Sequence, residues 1–148
     1  MNTDMIIYNG IIVTVNGQSE VLENGWVAIS DGKIAGLGSA EKHLPPDAER
    51  KVDACGGIVM PGLINTHTHL PMTLFRGLAD DLPLMEWLNA HIFPAEAAHV
   101  TADSAKCAAL LGCAEMLLAG TTTCCDGYFY EEVVAEAVLE SGIRGVAG

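Results

Sequence analysis

Basic residues are scarce in this chain: Lys and Arg number 7 against 19 Asp and Glu, a formal net charge of −12. A nucleic acid would approach against that field, so it is not expected as a partner. Long apolar runs are also missing. None reaches the roughly 18 residues of a membrane span, and Met1-Asn2-Thr3-Asp4 has neither the basic stretch nor the apolar core of a signal peptide. No membrane partner is expected, and the expected compartment is the cytoplasm. The five cysteines include no C-x-x-C pair, which argues against a paired-cysteine zinc or redox motif. Cys107 and Cys113 fall in a helical pattern and Cys124-Cys125 in a strand pattern, as buried free thiols of a reducing compartment would.

What is present is a chain of 148 residues, half of them apolar, enough for one modest core. Its pattern changes once. Residues 1–57 read as short strands (5–8, 11–15, 25–30 and 33–38) with turns at Asn9-Gly10, Asn16-Gly17, Asn24-Gly25 and Asp31-Gly32, pairs that tolerate positive φ. From residue 58 to residue 148 strands alternate with helices. A strand over 58–69 leads through a loop with short helices to a helix over 101–119, with Thr101 as N-cap and Asp103 in its first turn. On it Leu110, Leu111, Ala114, Leu117 and Leu118 follow three- and four-residue steps, as a core-facing stripe would. A strand over 121–126, a helix over 131–141 and a strand over 143–147 complete the alternation of a parallel α/β sheet. A third strand with no helix after it leaves an apolar edge. The polypeptide is therefore expected to be the front part of something larger, and association into homo-oligomers would also cover that edge.

The most informative residues are His67-Thr68-His69, at the end of an apolar strand that follows Pro61-Gly62. Successive strand side chains alternate in direction, so both imidazoles project from one face. Their Cα atoms should lie roughly 6.5 Å apart at about 3.3 Å per residue, close enough to share one ion. The pair predicts a divalent metal site. Zinc suits imidazole best, and iron and manganese also satisfy two such ligands.

The run Pro61-Gly62-Leu63-Ile64-Asn65-Thr66-His67-Thr68-His69, continued by Leu70-Pro71-Met72-Thr73-Leu74-Phe75-Arg76-Gly77 and by His91-Ile92-Phe93-Pro94-Ala95-Glu96, resembles the amidohydrolase superfamily. Within it, the similarity is to the aminohydrolase branch of methylthioadenosine/S-adenosylhomocysteine deaminases and triazine chlorohydrolases. It continues weakly through Gly120-Thr121-Thr122-Thr123 and Asp126-Gly127-Tyr128-Phe129. The resemblance implies an α/β fold, the N-terminal part of a (β/α)8 TIM-type barrel preceded by strands of a small β-sandwich domain. A whole barrel takes about 250 residues. The further ligands and the catalytic acid–base groups of the family are accordingly expected beyond Gly148, with no catalytic residue inside this chain, which alone is expected to be inactive.

The resemblance carries His67 and His69 over as metal ligands. It assigns Glu96 to ribose hydroxyls, two of which one carboxylate can accept from at once, and Trp87 to the wall of a substrate pocket, where a flat apolar ring suits a purine or thioether. The implied reaction is hydrolytic deamination of an adenine nucleoside thioether (S-adenosylhomocysteine or methylthioadenosine type) by metal-activated water. A guanine-type purine or a triazine is the alternative within the branch, and a non-catalytic barrel fragment needing a complementing chain is the alternative outside it. The expected partner is thus a small molecule, a nucleoside or amino-heterocycle. Other polar residues have blander expectations: solvation or capping for Asp80, Asp81 and Glu86, a structural ion pair for Arg76, packing or surface positions for His91 and His99, and a structural hydrogen-bond acceptor for Asp126.

Overall fold

In the computed structural model the described residues are 3–148; Met1 and Asn2, read above with the N-terminal segment, lie outside them. The chain forms two compact units, one running to Pro61 and the other from Gly62 to Gly148.

The first unit is a five-stranded sheet of β1 (Thr3–Val13), β2 (Val21–Ser30), β3 (Lys33–Ser39), β4 (Ala48–Asp53) and β5 (Ile58–Val59). The order is β3-β2-β1-β4, with β5 also on β1. Asp31-Gly32 is the hairpin turn anticipated: both residues have positive φ (50° and 68°) and Ser30 pairs with Lys33, as a two-residue turn between twisted strands requires. Asn9-Gly10 and Asn24-Gly25 are not turns. Asn9 (φ 57°) and Asn24 (φ 45°) sit inside continuous strands, and Gly10 pairs with Gly25 between two register shifts. Positive φ is absorbed there as a β-bulge, because Ile12 beyond it still pairs with Leu22. The strand β4 has no counterpart in the sequence reading; Ala-Glu-Arg-Lys-Val-Asp lacks an apolar run and pairs with β1 in parallel through its backbone. Ile6, Ile12, Val27 and Ala28 form the core, and the burial of the adjacent Val27 and Ala28 shows that both faces of β2 are covered at its centre.

The strand anticipated over 58–69 is two strands. Ile58–Val59 belongs to the first sheet, and β6 (Leu63–Thr68) opens the second. Pro61 separates them, since it has no N–H for a ladder. Gly62 follows, where a Cβ would stand 2.3 Å from Thr122 Cγ2.

The second unit carries β6, a 3-10 turn over Leu70–Phe75, α1 (Leu84–Trp87), a π-helical turn over Leu88–Ile92, α2 (Phe93–His99), α3 (Ala102–Leu118), β7 (Thr121–Asp126), α4 (Glu131–Ser141) and β8 (Arg144–Ala147). Its three strands are parallel in the order β6-β7-β8. Thr101 caps α3 in a capping box with Ser104, and Asp103 lies in the first turn as expected. The buried stripe of α3 differs from the leucine stripe. Its buried residues are Ala105, Ala108, Ala109, Gly112 and Cys113, whereas Leu111 and Leu118 are exposed. The reason is close approach: a Cβ on Gly112 would lie 2.8 Å from Leu70 Cδ2, so only small residues let the 3-10 turn seat on the helix. Leu70, Ala109, Cys113, Cys124, Val134, Ala137 and Ile143 then close the core.

Candidate active site at the strand ends

In a parallel β/α barrel the site gathers at the C-terminal ends of the strands, where loops converge. Here β6 ends at Thr68 and β7 at Asp126; His67, inside β6, meets His69, Gly127 and Tyr128, which follow the two strand ends. The rings of His67 and His69 have centroids 5.1 Å apart at an interplanar angle of 77°. Two imidazoles sharing one tetrahedral ion at about 2.0–2.1 Å have centroids roughly 5 Å apart, so the spacing of this pair matches what one zinc-like ion requires. His69 Nδ1 lies 2.5 Å from the carbonyl oxygen of Gly127. A carbonyl only accepts, so Nδ1 donates its proton there, and in the neutral ring this leaves the lone pair on Nε2. Among the described residues no group of three or more His, Cys, Asp or Glu side chains is arranged to hold an ion.

A cavity of about 540 Å³ opens beside His69 and is lined also by Trp87, Phe93, Glu96 and Tyr128. Its size is that of a small-molecule site. It brings His69, Trp87 and Glu96, from three separate segments, to one surface; His67 is not in its lining. Trp87 is half-buried, and its indole Nε1 donates to the Leu78 carbonyl at 3.1 Å, which fixes the ring. The backbone that carries Glu96 is irregular for a reason. Pro94 lacks an N–H for helical bonding and the preceding turn widens to π, a distortion frequent at functional sites. Glu96 is 9% exposed, and its Oε1 accepts from Tyr128 Oη at 2.6 Å. Burial, followed by the hydrogen bond to Glu96 and its charge, pushes the Tyr128 phenol well above its ordinary value, so it stays a donor.

Asp126 is 7% exposed and its Oδ1 accepts from the Leu70 backbone N–H at 2.6 Å, so it is a structural acceptor. It locks the chain next to His69. Burial, opposed by that hydrogen bond and seconded by the charge of Glu131, pushes its carboxyl up to about 6. Glu131 in turn accepts from the Tyr128 backbone N–H. Arg76 forms the structural pair anticipated, 2.5 Å from Glu115. His91 is half-buried and His99 exposed. Cys113 and Cys124 are buried thiols, the latter pushed up to about 11 by burial, and serve packing. Gly127 and Tyr128 have no role that the sequence alone assigns. Their signal was position, immediately after the end of a barrel strand.

Residues 58–148 match the amidohydrolase family, and the chain belongs to it. A 5-methylthioadenosine/S-adenosylhomocysteine deaminase of Lawsonia intracellularis is 52% identical over 98% of this chain and 33% of its own length. A 5′-deoxyadenosine deaminase of Methanosarcina acetivorans is 49% identical over 95% and 32%. A crystal structure of an adenosine deaminase from Xanthomonas campestris with bound zinc superposes with a TM-score of 0.91 at 40% identity, over 98% of this chain and 33% of that one. The chain thus spans about a third of the length of the curated relatives it matches. Its fold is the N-terminal part of their (β/α)8 barrel with the strands that precede it. No helix among the described residues is long and apolar enough to cross a membrane.

Proposed function

We propose that the complete protein is a zinc-dependent hydrolase that deaminates an adenine nucleoside carrying a 5′ thioether, such as S-adenosylhomocysteine or methylthioadenosine. The observation that carries this reading is the cavity on which His69, Trp87 and Glu96 converge. Relatives named for methylthioadenosine/S-adenosylhomocysteine and for 5′-deoxyadenosine support a nucleoside modified at its 5′ carbon. His67 and His69 would hold the ion. When bound, it supplies Lewis acidity and an activated water at neutral pH. The Gly127 carbonyl keeps His69 in the tautomer that leaves Nε2 available. Trp87 offers its fixed ring to the purine or thioether, and Glu96 accepts from the ribose hydroxyls in a buried setting that strengthens such bonds. Attack falls on the ring carbon bearing the amine, which leaves as ammonia; proton transfer to it is assigned to groups outside residues 3–148.

The test is ammonia release by the full-length, zinc-loaded protein from S-adenosylhomocysteine, methylthioadenosine and 5′-deoxyadenosine, with guanine and a chlorotriazine as comparators. Turnover of the nucleosides is expected. Full zinc occupancy with no ammonia from any of them would overturn the assignment.

A further inference from the structure

One four-residue loop, between β7 and α4, touches both halves of the proposed site through consecutive residues. The Gly127 carbonyl accepts from His69 Nδ1, and the Tyr128 hydroxyl donates to Glu96 Oε1. The loop is itself restrained. The Tyr128 backbone N–H donates to Glu131, Phe129 packs edge-on against the Tyr128 ring with centroids 5.0 Å apart, and Tyr130 holds a left-handed φ of 59° at the start of α4. Non-glycine residues keep such a conformation only where their surroundings impose it. The tyrosine ring also lies 6.0 Å from that of His69. Glu96 Oε2 takes no hydrogen bond among the described residues, and the sealed unpaired carboxylate oxygens there are those of Asp126 and Glu131. Glu96 therefore has one oxygen held and one to offer.

We propose that Tyr128 is a positioning residue that selects substrates with a vicinal diol: its hydroxyl fixes the Glu96 carboxylate at a set distance from the His67–His69 pair. This deepens the proposed function and rests on the reading of Glu96 as the ribose acceptor. A phenol held by its own loop orders the carboxylate before substrate arrives, so the substrate's hydroxyls need not pay that ordering themselves. Loss of the hydroxyl should weaken binding of diol ligands and leave ligands without a diol much less affected.

The experiment uses the full-length zinc protein and two deaminated, unreactive nucleosides, inosine and 2′,3′-dideoxyinosine, with Kd measured by calorimetry. The wild-type protein is expected to prefer inosine, and Y128F to reduce that preference roughly tenfold, the low end for a hydrogen bond to a charged group. Zinc content of Y128F should match the wild type. A preference in Y128F within twofold of wild type would overturn the proposal. Should Y128F not fold, 3-fluorotyrosine at position 128, a near-isosteric and stronger donor, keeps the test open: the preference is expected to hold or rise, and a tenfold fall would overturn the proposal. A wild-type protein that binds neither nucleoside would sink the nucleoside reading itself, and this inference with it; failure of Y128F alone leaves that reading standing.

Discussion

Replacing Asp126 by Asn should raise stability at neutral pH, the reverse of what loss of a buried carboxylate usually does. Asp126 Oδ1 accepts from the Leu70 backbone N–H, while Oδ2 is sealed from solvent with no hydrogen-bond partner among the described residues, as is Glu131 Oε2. An asparagine keeps the acceptor and places an N–H2 where the orphan oxygen stands, facing a carboxylate that needs a donor. Burial pushes the Asp126 carboxyl from 3.8 to about 6, with the Glu131 charge adding to it. A carboxyl raised in the folded state binds its proton longer than the unfolded chain does. Stability is therefore lost as pH rises from about 4 to about 6, and the loss is constant above that. At about 1.4 kcal/mol for each pH unit of that window, the loss is roughly 3 kcal/mol. D126N has no such loss. In urea titrations of the metal-free full-length protein, the stability of D126N relative to wild type should climb by about 2–3 kcal/mol between pH 4 and pH 7. Infrared difference spectra should show a protonated carboxyl band at pH 5 that D126N lacks. A relative stability that is flat with pH, or that falls, would refute the argument.

Three further outcomes follow from packing and capping. Gly62→Ala puts a methyl 2.3 Å from Thr122 Cγ2 and Oγ1, an overlap that should lower stability by about 1–3 kcal/mol, read as a reduced Tm. Thr101→Ala removes half of the capping box on α3 and should cost about 1 kcal/mol by urea unfolding. In native protein iodoacetamide should label the exposed Cys55 and Cys107 and spare the buried Cys113 and Cys124, whose thiols burial keeps protonated; mass spectrometry of the peptides reads this out.

Much of the second unit was legible in the sequence because its signals are local. Thr101 caps, Gly120 and Gly142 end helices with positive φ, and Thr121–Asp126 and Glu131–Ser141 match their patterns residue for residue. The departures share one cause, that a partner distant in sequence decided the outcome. Asn9-Gly10 looks like a turn until β2 presents its own Asn-Gly opposite. Ala48–Asp53 has no strand pattern of its own and is recruited by the backbone of β1. The leucines of α3 suggested its buried face, yet Leu70 presses on Gly112 and selects the small residues instead. At the candidate site, His67 and His69 were visible because two residues suffice to state the pairing. The bond from Tyr128 to Glu96 spans 32 residues and joins two irregular segments, so no periodicity announces it.

Two imidazoles from the end of β6, binding one ion, stand at the centre of the proposed chemistry. The most direct measurement is zinc-edge X-ray absorption on the full-length protein, comparing wild type with His67→Ala and His69→Ala. Each variant is predicted to lose one imidazole's scattering from the zinc shell, or to lose the zinc altogether. An unchanged zinc shell and full metal content in either variant would contradict the account.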